Sequence, residues 1–187
     1  MRTFTWISAA ICALAVTGCG VFGGKPSTPI PNTVTPERLT SQAPVHVLSL
    51  KQRTQLAVKP TLYEHVQVTT ANGKPVTLNV QDRPLIFFSP ALGGQQLFQT
   101  LSQAKPAHTP VLIATGFMPN ETKAQDVADT EALLKQYHIT WPVYYFFGNP
   151  FGSLISGVPD TYVWRNGHVW HIPGTLSSAS EWNQALS

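Results

Sequence analysis

The residues in this chain that could do chemistry are few and widely spaced: six histidines, nine acidic residues and two cysteines among 187. His168 and His171 are the closest histidine pair, and they sit in a segment that alternates like a strand. Positions three apart on a strand point to opposite faces, so the pair fits poorly as metal ligands and reads as hairpin packing or surface. His65, His108 and His138 are isolated and have no carboxylate at a matching spacing. Glu64, Asp126, Asp129, Glu131 and Asp160 form no acid–base pair that spacing alone reveals. Neither a G-x-S-x-G elbow nor a phosphate-cradling P-loop is present. Gly93-Gly94, ahead of a helical pattern, could turn backbone N–H groups toward an anion. A plain glycine turn explains the same two residues more simply. No metal and no cofactor is expected.

The two cysteines are settled by where they stand. After Met1-Arg2-Thr3, residues 4–16 are almost wholly apolar, and Thr17-Gly18-Cys19 follows. A permanent bilayer span needs about 20 apolar residues, so this shorter run, ending in small residues, reads as an export signal over residues 1–18. Val16-Thr17-Gly18-Cys19 resembles the lipobox of bacterial lipoproteins, which implies that Cys19 is acylated and becomes the mature N-terminus. Cys12 would leave with the signal. The folded part then has no thiol: no disulfide, no thiolate nucleophile and no sulfur ligand for a metal. The expected location is the outer face of a cell membrane, lipid-anchored, at the cell surface or in a periplasm.

Composition excludes one class of partner. Charged residues are 11% of the chain, against roughly a quarter in ordinary globular proteins. The 12 basic residues are scattered, and no basic stripe with aromatic partners is visible, so nucleic acid is set aside.

These residues need elements to position them. Residues 19–44, rich in Gly, Pro, Ser and Thr, cannot bury enough apolar surface to offset their ordering entropy and read as a tether. Residues 45–61 form a lead-in in which Val45 to Leu50 alternates like a short edge strand. From residue 62 the pattern sharpens. Strands are expected at His65–Thr69 and Val76–Leu78 around the Asn72-Gly73 turn, then at Leu85–Phe88, Val111–Ala114 and Val143–Phe147. A closing hairpin, 161–164 and 168–172, turns at Asn166-Gly167. Helices are expected over Leu97, Phe98, Leu101 and Ala104, and from an Asn120 cap to Tyr137 with Ala124, Val127, Ala128 and Leu134 inward and Glu131 interrupting the stripe. A last one follows a Ser178–Glu181 capping box. The plan is α/β, with parallel central strands and an antiparallel pair at one edge.

Four segments in this order resemble the membrane-anchored thioredoxin-like proteins of bacterial envelopes, the type involved in thiol–disulfide exchange and cytochrome maturation. They are residues 72–78 (NGKPVTL), residues 83–90 (RPLIFFSP), residues 139–143 (ITWPV), and residues 157–163 (GVPDTYV) with Asn166-Gly167 and Gly174. The resemblance implies a thioredoxin-like domain over residues 62–187: a central mixed sheet flanked by helices, with an N-terminal hairpin extension. It also implies a cis peptide bond at Val158-Pro159. In that family Cys-x-x-Cys opens the first core helix, where the helix N-terminus favours a thiolate. In register, the two cysteine positions here are Leu92 and Gln95, so no catalytic residue is expected.

The same resemblance places the Leu92-Gly93-Gly94 loop against Val158 and Pro159, forming a groove that could bind an extended peptide by strand addition. Trp141, Phe117 or Tyr162 could add apolar contact. The plainer alternative is that Pro159 only shapes the fold. Two functions stay open: an adaptor or chaperone-like binder of envelope proteins or peptides, or a member of a thiol–disulfide oxidoreductase family whose redox centre is lost.

Overall fold

A computed structural model describes residues 48–116 and 122–187. The export signal, Cys19, the tether, Phe117 and Asn120 lie outside the described residues.

Of the expected lead-in strand, residues 45–47 lie outside the described residues, and the part from Leu48 to Leu50 differs from it. Ser49 caps a short helix α1 (Leu50–Arg53): its Oγ accepts from the Gln52 N–H, and the Gln52 side chain accepts from the Ser49 N–H. This Ser-x-x-Gln capping box satisfies the helix start and overrides the alternation at Leu50. The edge strand comes later and is only two residues long, β1 (Gln55–Leu56). A 3₁₀ turn, Pro60–Tyr63, follows.

The remaining strands fall where the apolar patterns put them: β2 (Val66–Thr69), β3 (Pro75–Leu78), β4 (Leu85–Phe88), β5 (Val111–Thr115), β6 (Val143–Phe146), β7 (Asp160–Arg165) and β8 (His168–Pro173). They form one mixed sheet in the order β1-β8-β7-β4-β5-β6-β2-β3. The parallel pairs β4–β5 and β5–β6 are its centre. Every residue of β4 and β5 is buried, as the continuous apolar runs require. Antiparallel strands lie on both sides of the centre, not at one edge: β7 and β8 beyond β4, and the β2–β3 hairpin beyond β6.

Helices α2 (Gly94–Leu101), α3 (Lys123–Gln136) and α4 (Ala179–Ala185) contribute to one core cluster with Ile86, Phe88, Leu112 and Tyr145. Trp182 of α4 is fully buried there and donates from Nε1 to Thr100 Oγ1 at 2.9 Å. Arg165, at the end of β7, donates to the carbonyls of Gln184, Ala185 and Ser187 and so closes the C-terminus of α4, where a cation is favoured. The other sheet face packs Val66, Val68, Phe87 and Ile113 with Tyr63, Ile155 and Tyr162.

Two helix expectations are corrected. The cap of α3 is Thr122, whose Oγ1 accepts from the Gln125 N–H. Its buried residues are Asp126, Thr130, Leu133 and Leu134, whereas Ala124, Ala128 and Glu131 are exposed. The reason lies beneath the helix. A Cβ on Gly116 would lie 1.6 Å from Asp126 Oδ2, so the glycine vacates the space that the carboxylate fills. At α4, Ser178 accepts from the Glu181 N–H as expected, but the Glu181 carboxylate reaches one residue further back, to Ser177.

Candidate functional site

Strands β4 and β7 are antiparallel neighbours, with Phe87 opposite Asp160. The loop leaving β4 and the loop entering β7 must therefore come together. The first carries Leu92 and Gly93 and the second Val158 and Pro159; these four residues line one open groove of about 910 Å³ with Leu48 and Phe151. Leu92 is 44% exposed there. The Val158–Pro159 peptide bond is cis. Beside it, the Pro159 carbonyl accepts from the Gly174 N–H at 2.7 Å, while Val158 N–H and C=O have no hydrogen-bond partner among the described residues.

A cis-proline loop faces the residues that lead into α2 across this groove, beside a parallel β4–β5–β6 centre with antiparallel strands on both sides. The fold is thioredoxin-like.

No protein-family model matches the chain, and no curated protein does. Solved structures similar to it include the following three. One is a secreted Mycobacterium tuberculosis disulfide oxidoreductase homologous to E. coli DsbE, with 18% identity, a TM-score of 0.42, and 65% of this chain and 94% of that one covered. Another is a putative electron transfer protein from Aquifex aeolicus, at 15% identity and TM-score 0.44, covering 69% and 96%. A thioredoxin-like superfamily protein follows at 15% and 0.40, covering 66% and 96%.

Within this thioredoxin-like frame the sequence candidates separate. Leu92 and Gly93 reach the groove, but Gly94 and Gln95 are not among its lining residues. Gly94 is buried against the sheet: a Cβ there would meet the Ser89 carbonyl oxygen at 2.8 Å and Leu133 Cδ2 at 2.9 Å. Gly93, the residue before α2, has φ +77°, a conformation that favours glycine, and a Cβ on it would touch nothing. Both glycines thus have backbone reasons to be there. Gln95 lines a separate pocket with Pro90, Asp129 and Gln136. Of the expected aromatic neighbours, Trp141 packs against the helix-side core and Tyr162 is buried on the opposite side of the sheet; neither lines the groove. Its apolar rim comes from Leu48 and Phe151 instead.

On the β7–β8 hairpin the thioredoxin-like scaffold carries a polar cluster absent from the sequence expectations. The register pairs Tyr162 with His171, which sets Asp160, Tyr162 and His171 on one face. His171 Nε2 lies 3.0 Å from Asp160 Oδ1, within ion-pair range but without the alignment of a hydrogen bond. Gln55 Nε2 stands 3.2 Å from His171 Nδ1. Asp160 Oδ2 accepts from the Ser156 N–H (2.9 Å), the Ser156 hydroxyl (3.1 Å) and the Gly157 N–H (3.2 Å). The rings of Tyr63, Tyr162 and His171 stack in sequence, with centroids 3.8 and 4.8 Å apart. Both phenols are directed at the Leu154 carbonyl, and burial pushes both upward in pKa. A cavity of about 280 Å³, bordered by Gln55, Lys59, Leu62, Leu154 and His171, opens over the stack.

The signal for this cluster was in the hairpin. With Asn166-Gly167 as the turn, Arg165 faces His168, and counting outward brings Asp160 and His171 to diagonal positions on one face. The same count leaves His168 exposed and His171 buried, on opposite faces.

Proposed function

We propose that this protein is a lipid-anchored, extracytoplasmic binding protein on a thioredoxin-like scaffold, without redox chemistry of its own. It holds extended segments of envelope proteins or peptides beside Val158, as an adaptor or chaperone. The observation that carries this reading is the groove itself: Val158 offers a free backbone donor and acceptor between exposed apolar side chains at Leu92, Leu48 and Phe151. Such an edge suits strand addition, in which main-chain bonds provide affinity and side-chain contacts provide selectivity. The cysteine count supports the absence of redox chemistry, since Cys12 and Cys19 both precede the domain, and the resemblance to the thioredoxin-like family puts Leu92 and Gln95 at the positions of its redox pair.

A second reading is favoured by the placement of Leu92 at the mouth of α2 opposite the cis-proline loop. In it, the protein descends from thiol–disulfide oxidoreductases and has lost their chemistry. The two readings share the scaffold and differ in whether the groove is still used.

The deciding experiment is capture of envelope proteins by the chain from residue 19 onward, beside a Val158→Asp variant checked for folding by circular dichroism. Partners retained by the parent and lost by the variant support the binding role. Identical retention by both would place binding elsewhere, and no retention at all would leave the lost-chemistry reading.

A further inference from the structure

The groove between the α2 loop and the cis-proline loop is not purely apolar. Arg53, the last residue of α1, lines it together with Leu48, Leu92, Phe151 and Val158. Among the described residues that line the groove, it is the one that carries a charge. Backbone holds its guanidinium in place: it donates to the carbonyls of Thr175 and Leu48. No carboxylate among the described residues pairs with it. An arginine has five N–H donors in a planar fork, so three remain for a further acceptor. The exit of β8 sets where Arg53 stands. The Gly174 N–H donates to the Pro159 carbonyl, and the next residue, Thr175, gives its carbonyl to Arg53. Two adjacent residues thus tie Arg53 to the loop whose Val158 offers a free main-chain donor and acceptor, and one extended segment can meet both. The acid of that loop, Asp160, does not compensate the cation. It is 1% exposed, and its oxygens face Ser156, Gly157 and His171.

A fixed guanidinium without a counter-ion, beside an apolar groove, favours a carboxylate, which meets the fork with two parallel hydrogen bonds. The apolar rim at Leu48, Leu92 and Phe151 disfavours a ligand that is all charge, and main-chain pairing at Val158 calls for a polypeptide. We propose that the groove selects extended apolar segments that carry one carboxylate, and that Arg53 is the residue that reads it. An acidic side chain and a free C-terminal carboxylate present the same chemistry. Selection by Arg53 rests on use of the groove, as the proposed function holds, and adds the sign of the charge that the partner must bring.

The test applies the chain from residue 19 onward, carrying Cys19→Ser, to arrays of short peptides anchored through their N-termini. The peptides are drawn from Val, Ile, Leu and Thr, with a central position fixed as Glu, Gln or Lys and the C-terminus amidated. A further set has Gln at the centre and a free C-terminal carboxylate. Glu peptides are expected to retain about fivefold more protein than Gln peptides, the upper range for an ion pair still partly in water, and Lys peptides less than either. Retention above the amidated Gln set on the Glu set or on the free-carboxylate set supports the proposal, and which of them shows it identifies the source of the carboxylate. Arg53→Gln keeps an amide donor for the Thr175 carbonyl and should erase the preference. Arg53→Glu should reverse it toward Lys, which a merely loosened α1 would not do, since that would weaken every set alike. Circular dichroism verifies both variants; if Arg53→Glu does not fold, Arg53→Gln and the preference of the parent decide. Equal retention on all sets, or a carboxylate preference that the folded Arg53 variants keep, overturns the selection while the groove reading stands. Retention on none, or retention that Val158→Asp leaves intact, overturns both.

Discussion

Asp160 and His171 meet across the β7–β8 hairpin, carboxylate to imidazole at 3.0 Å, where Asp160 is 1% exposed. The other carboxylate oxygen gathers Ser156 and Gly157, the two residues that lead into Val158. One buried side chain thus ties the sheet to the loop that shapes the groove. Removing the side chain leaves the Ser156 and Gly157 donors it accepts from unsatisfied, and Asp160→Ala is expected to cost about 1–3 kcal/mol of unfolding free energy or more in urea titrations. Asp160→Asn should cost less, because its amide oxygen still accepts from the loop N–H groups. A parent-like midpoint for Asp160→Ala would show the tie to be dispensable.

The two glycines before and at the start of α2 should respond differently to the same change. Gly93 needs a left-handed backbone with open space around it, which asparagine tolerates, so Gly93→Asn should stay within about 1 kcal/mol of the parent. At Gly94 any Cβ collides with the Ser89 carbonyl and Leu133, and Gly94→Asn should lose about 1–3 kcal/mol or more. Equal losses in thermal melts would contradict this division.

Stability should fall on the alkaline side. Burial pushes the Tyr145 phenol up to about 12, with Glu131 adding to the shift, and raises Tyr63 and Tyr162 as well. A phenol with a folded pKa above its unfolded value of about 10 keeps its proton in the native state while the unfolded chain gives it up. The contribution is therefore complete below pH about 10 and is lost as pH rises toward the folded values. The part of the phenolate absorbance that belongs to these three tyrosines should climb together with the loss of circular dichroism. Ionisation of all five tyrosines near pH 10 in a still-folded protein would argue against it.

Insulin reduction tests the redox reading and its alignment together. The chain from residue 19 onward should be inactive, and Leu92→Cys with Gln95→Cys should restore turnover, since the pair would stand at the N-terminus of α2, where thiolate is favoured. Turnover in the unmodified protein would sink the redox-inactive reading. A folded but silent double variant would mean that the register assigned to Leu92 and Gln95 is wrong.

Most of the scaffold was legible in the chain because its signals are local. The continuous runs at Leu85–Phe88 and Val111–Thr115 mark central strands, Asn72-Gly73 and Asn166-Gly167 mark turns, and the Val158-Pro159 bond is cis as the surrounding motif implied. What was missed depends on neighbours distant in sequence. Asp126 and Thr130 face inward on α3 because Gly116 leaves room, and no period of apolar residues records that. Val45–Leu50 reads as a strand until the Ser49–Gln52 capping box is weighed, and then Leu50 begins a helix. The groove rim at Leu48 and Phe151 joins loops roughly a hundred residues apart in sequence, a meeting that only the β4–β7 neighbourhood explains.

The pairing of β1 with β8, reinforced by the Arg53 bond to the Thr175 carbonyl, stitches the first described segment to one of the last. Strand β4 likewise borrows one of its two neighbours, β7, from far downstream. A chain emerging N-terminus first therefore carries a half-paired central strand and an unfastened lead-in until residues 160–173 have appeared. An exposed strand edge of this kind invites pairing with another copy. Delivery of the whole chain, more than the speed of any single step, decides whether this sheet closes on itself or on its neighbour.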